Sequence, residues 1–143
     1  MWKTTVLICY LIILSVHDIR RKQLPMHWIV AGAVFAIINI LISAGEMLFA
    51  PETVLRILNS WLPGMVFLVI AKMTDVIGRG DGWVLIITGS ILDAGETGRI
   101  LAVSLLLAAF SAIVLLVFRK AQKGDKLPFI PFLATAVILV MLV

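Results

Sequence analysis

The chain has 143 residues, 62% of them hydrophobic and 14% charged, with a formal net charge of +4 and a mean hydropathy of +1.16. Soluble domains carry about 45–50% apolar and about 25% charged residues, so this composition excludes an ordinary soluble domain and indicates a membrane protein. The basic balance does not point to nucleic acid, because the basic residues sit in short loops and not on one polar face; membrane orientation accounts for them.

Six apolar segments follow one another at roughly 2–17, 26–44, 54–73, 83–92, 99–118 and 128–143. A helix crossing about 30 Å of hydrocarbon needs about 20 residues, with about 17 as a lower limit. The second, third and fifth segments meet that length, the first and sixth are marginal, and the fourth is too short alone. It crosses only with sheltered ends, a thinner bilayer, or residues taken from the loop Asp93-Ala94-Gly95-Glu96-Thr97-Gly98. The first segment has one basic residue and an apolar core, with no small-x-small cleavage site before His17-Asp18. It is therefore predicted to be a retained helix, not a cleaved signal. Cys9 inside it reads as a small buried apolar residue; a lone cysteine makes neither an internal disulfide nor a zinc pair.

Loop charges predict the orientation. With six spans, the loops at 18–25, 72–82 and 119–127 share one side and hold Arg20, Arg21, Lys22, Lys72, Arg79, Arg119, Lys120, Lys123 and Lys126. The other side holds only Lys3, Arg56 and Arg99. This bias places the three basic loops in the cytoplasm and both termini outside. Pro25 and Pro128 stand near helix starts, where a missing N–H costs little. Pro51 lies in an outer loop with Glu46 and Glu52, while Asn59, Pro63 and Gly64 interrupt the third segment and mark a kink. The expectation is a single all-α integral membrane domain over residues 1–143, with about six transmembrane helices.

Against this background the stretch Ile77-Gly78-Arg79-Gly80-Asp81-Gly82 stands out, because it sets a carboxylate among glycines between apolar runs. An ionisable group at the edge of a membrane segment is by default a functional-site hypothesis. Asp18, at the end of the first run, is the second such acid, and the predicted topology puts both at the cytoplasmic face. Two carboxylates sharing one site cannot both ionise cheaply, so the pair keeps one proton. That arrangement suits peptide hydrolysis: one acid takes a proton from water while the other donates to the carbonyl oxygen or leaving amine. The glycines at 78, 80 and 82 would let an extended substrate backbone approach Asp81; their plainer role is a turn between helices. Other acids fit poorly. Asp75 and Asp125 read as loop charges, and Asp93 and Glu96 fall on the opposite side. His17 and His27 flank the first basic loop as interfacial polar residues, with His17 also placed to contact a substrate.

Three motifs carry a family resemblance. Asp18-Ile19-Arg20-Arg21-Lys22-Gln23-Leu24-Pro25 resembles the first motif of the type IV prepilin peptidases, Gly78-Arg79-Gly80-Asp81 matches their Gly-x-Gly-Asp, and Leu127-Pro128-Phe129-Ile130-Pro131-Phe132-Leu133-Ala134 is similar to their late Pro-Phe motif. The resemblance implies an aspartic intramembrane protease that removes the short basic leader of pilin-like precursors at the cytoplasmic side of the cytoplasmic membrane. It implies Asp18 and Asp81 as the catalytic pair, with Gly78, Gly80, Gly82, Pro128, Phe129 and Pro131 toward the substrate. No metal and no organic cofactor is implied; the partners are precursors and membrane lipid. Trp83, Ile130 and Met26 depart from frequent Lys, Gly and Asn of the family. Larger members carry a cysteine-bearing insertion between the first two spans, associated with N-methylation. Here that loop has about eight residues and no Cys, which resembles the short peptidases of tight-adherence pili and implies peptidase without methyltransferase.

Two rival readings belong to other classes. A proton- or cation-coupled transporter would want its carboxylates near the bilayer midplane, whereas these stand at segment ends. A non-catalytic subunit of a pilus or secretion assembly would bind the precursor without cutting it; both aspartates, which such a subunit could lose, are present.

Overall fold

The computed structural model describes residues 2–21, 24–73, 78–118 and 128–142, and these residues form helices and short connections with no strand among them. The helices are α1 (Trp2–Arg21), α2 (Met26–Ala44), α3 (Pro51–Met73), α4 (Arg79–Ile91), α5 (Ala94–Val117) and α6 (Ile130–Leu142), with one 3-10 turn at Gly45–Met47. Four of them, α1, α2, α3 and α5, are long and apolar enough to cross a membrane. The chain is thus an all-α, multi-pass membrane protein.

Element boundaries depart from the sequence reading in five places. α1 runs four residues past the apolar segment, through Asp18, Ile19 and two arginines, and so reaches spanning length. The basic side chains in its last turn suit the negative end of a helix, which explains the extension. α4 gains residues at its start, Arg79 to Gly82, and none from the 93–98 stretch. That stretch is instead the beginning of α5: the Thr97 N–H and hydroxyl both donate to the Asp93 carbonyl, at 2.9 and 3.0 Å, and Glu96 sits in the positive first turn. α3 takes in Pro51, read as part of an outer loop, and holds Pro63 and Gly64 inside one helix. α6 is shorter than its segment, 13 residues rising about 20 Å.

The core follows helical spacing. Leu7, Leu11 and Leu14 lie three and four apart on one stripe of α1 and are fully buried. They join Phe67 of α3, Val84 and Leu85 of α4, Ile100 of α5, and Phe129, Ile130, Leu133, Ala136 and Val137 around α6. Cys9 lies off that stripe and is exposed, contrary to the buried role expected of it. Large apolar side chains such as Ile37, Ile42, Val69, Leu106 and Phe110 face outward. In water such a surface would be a severe liability; in lipid it is the solvated face.

α4 sits against α3, α2, α1 and α5, and small residues let it approach. A Cβ on Gly64 would stand 2.8 Å from the backbone nitrogen of Ile86, and one on Gly89 would collide with the carbonyl oxygen of Ser60. Trp61 closes the same α3–α4 contact by donating from Nε1 to Ser90 Oγ at 2.8 Å. Gly89→Ala should therefore destabilise the bundle by about 1–3 kcal/mol, the usual cost of overpacking. Gly95→Ala and Gly98→Ala, on α5 with open space around them, should stabilise by about 0.5–1 kcal/mol. Thermal melts in detergent check the opposite signs. Equal shifts for the three variants would show that α3 and α4 are not in close contact.

Among the described residues only Gly45 is required by backbone conformation: it ends α2 at φ +49°, donating its N–H to the Leu41 carbonyl.

Candidate active site

Asp18 continues the buried stripe of α1, one turn beyond Leu14, and Asp81 begins the corresponding stripe of α4 that runs on through Val84, Leu85 and Thr88. Both carboxylates are consequently carried inward. Asp18 keeps 6% and Asp81 7% of its surface exposed. They are close enough for the charge of Asp18 to act on Asp81. The two acids, 63 positions apart in the sequence, lie at the same end of the bundle, Asp18 in the last turn of α1 and Asp81 in the first turn of α4.

Each acid is held by a backbone N–H. Asp18 Oδ2 accepts from Ile130 N at 3.3 Å. The first N–H groups of a helix have no intrahelical partner, and Pro131, the second residue of α6, has none to offer, so Ile130 is the donor available there. Ile130 is fully buried, and the preceding Phe129 packs on Phe67 with ring centroids 4.9 Å apart. Asp81 accepts from the backbone N–H of Gly78, and its own N–H donates to the Gly78 carbonyl at 3.1 Å. Gly78 also presses on the carboxylate: a Cβ there would lie 3.0 Å from Asp81 Oδ2.

The remaining predicted residues divide. Gly78 is exposed beside the carboxylate, while Gly80 faces Leu24 and Gly82 is buried against Leu68 of α3. Gly80 and Gly82 are helical and not part of a loose turn. Pro128 and Pro131 are half-buried, and Phe129 is buried in the core. His17 turns back on its own helix, with Nδ1 3.2 Å from the Ile13 carbonyl oxygen and its ring on Trp28. His27 is exposed beside the same tryptophan. Asp93 and Glu96 lie at the far end of α4, away from both aspartates. Asp75 and Asp125 lie outside the described residues, as do Lys22 and the basic residues of 119–126.

Sequence reasoning missed the part played by Ile130. A backbone donor has no side-chain signature; the usable clue was a proline at the second position of a helix following an aromatic anchor. Two buried, mutually interacting carboxylates with no metal-ligating cluster among the described residues can hold and pass a proton.

The family model of the type IV leader peptidases matches residues 5–118, a span that contains both aspartates and ends before the late Pro-Phe stretch. No curated protein and no solved structure matches the chain.

Proposed function

The chain belongs to the type IV leader peptidase family, and we propose that it cuts the basic leader from pilin-like precursors with Asp18 and Asp81 as an aspartic general acid–base pair. The family makes it a peptidase and implies prepilin substrates. The observation that carries the finer reading is the burial of two aspartates within electrostatic reach of each other at one end of a membrane bundle. Like charges at such a place retain one proton between them.

In this mechanism water sits between the pair and the scissile carbonyl. The ionised carboxylate takes one proton from the water as its oxygen bonds to the carbonyl carbon. The protonated partner gives its proton to the carbonyl oxygen, leaving a neutral gem-diol. On collapse the C–N bond breaks, the leaving amine receives the proton gained in the first step, and a gem-diol hydroxyl returns a proton to its donor. The pair ends with the one proton it started with, and no metal or organic cofactor takes part.

Six spans, with 18–25, 72–82 and 119–127 in the cytoplasm and both termini outside, would set this site at the inner face of the cytoplasmic membrane. The charge bias of the loops supports that orientation. The short connection between α1 and α2 supports the form without methyltransferase, similar to the peptidases of tight-adherence pili. Co-expression with a pilin-like precursor bearing a basic leader tests the reading: the precursor should shorten on gels by the length of its leader. Failure to shorten any such precursor, with the protein present in the membrane, would defeat it. Cysteines introduced near residues 22, 76 and 122 should all react with a cytoplasmic-side reagent. Protection of any one of them breaks the six-span arrangement.

A further inference from the structure

The end of the bundle opposite the aspartates holds a cavity of about 310 Å³, formed where α2 and α4 finish and α3 and α5 begin. Its size falls within the usual range for small-molecule sites. Unlike the outer surface it is polar. Lys3 and Arg56 line it with two cations, and Asp93 and Glu96 with two carboxylates.

Asn39 and Ser43 of α2 continue the polar wall. Asn39 is 3% exposed, and its Oδ1 accepts from the Ser43 hydroxyl at 3.3 Å. Ser43 Oγ in turn accepts from Lys3 Nζ.

We propose that this cavity binds a phosphoethanolamine-type zwitterion, the headgroup of phosphatidylethanolamine. The phosphodiester oxygens would accept from Lys3 and Arg56, and the ammonium would face Asp93 and Glu96. A ligand of one sign would bring its charge against a like pair. The place also fits a lipid: Lys3 lies in the first turn of α1 and Asp93 between α4 and α5, where helix ends leave the hydrocarbon for the headgroup layer.

Delipidated protein in detergent should be titrated with phosphatidylethanolamine, phosphatidylglycerol and soluble glycerophosphoethanolamine, with bound molecules counted by native mass spectrometry. Phosphatidylethanolamine should bind saturably and more tightly than phosphatidylglycerol. Lys3→Gln and Arg56→Gln should each weaken it about tenfold, as loss of a hydrogen bond to a charged group implies. Glu96→Gln should abolish the preference between the two lipids. Competition by glycerophosphoethanolamine supports the headgroup as the recognised part, and binding of that compound alone assigns the cavity to a free zwitterion of the same chemistry. Equal binding of the two lipids, or an unchanged affinity in Arg56→Gln, overturns the proposal. Arg56 is exposed, so its variant is read on a folded protein. Cleavage is not read in this assay, and its result leaves the peptidase reading untouched.

Discussion

Asp18→Asn and Asp81→Asn should each reduce precursor cleavage by at least about a hundredfold, the lower end of what a positioned general acid or base contributes. Asn is nearly isosteric with Asp and can still accept from Ile130 or Gly78, so both variants should insert and fold as the parent does. What they lose is the ability to take up and return a proton. Because the two groups act as a unit, the double variant should fall no further than the worse single variant, within measurement. Asp75→Asn should keep substantial activity as a charge-matched control. The readout is the fraction of precursor shortened at fixed membrane abundance. Cleavage surviving in both single variants ends the dyad mechanism, and independent losses that multiply in the double variant end the shared-proton account.

Phe67→Ala should destabilise the protein by about 3–5 kcal/mol, the range for removing a buried aromatic side chain. Phe67 is 5% exposed and stacks on Phe129, so the cavity left behind adjoins the start of α6. That position matters for chemistry, since the next residue, Ile130, supplies the N–H on Asp18. The variant should therefore lose cleavage at temperatures where most of it is still folded. Phe67→Leu, which leaves much of the volume filled, should cost less on both counts. Melting curves and cleavage rates measured on the same preparations separate the two effects. Full activity in a folded Phe67→Ala protein would show that α6 is positioned without this pair.

The two candidate acids were legible as carboxylates at the ends of apolar runs and as parts of two motifs. Their burial was not read; it follows because Asp18 falls one helical turn beyond Leu14 and Asp81 heads the stripe of Val84, Leu85 and Thr88. How near they stand to each other could not be read either, because it depends on how α1 packs against α4. The glycines misled about α4: Gly80 and Gly82 look like breakers, yet close packing on Leu24 and Leu68 makes them part of a helix. Asp93 to Gly98 looked like a loop for the same reason, and capping bonds from Thr97 outweigh the low propensity of two glycines there. The polar cavity left no trace in the sequence. Asn39 is a single amide in an apolar run, and Lys3 and Arg56 read as topology charges until the helix ends were brought together.

α4 has 13 residues and rises about 20 Å, about 10 Å short of ordinary hydrocarbon thickness. In the proposed six-span arrangement so short a central element would draw lipid inward around it or leave its tips recessed. Asp81, in the first turn, would then sit at the floor of a shallow depression instead of level with the surrounding headgroups. Under the proposed reaction a precursor would need to unravel only the end of its own helix to bring a peptide bond there. The rest of that helix would stay in lipid, so the proposed cleavage would demand a local fraying of the substrate and not its extraction.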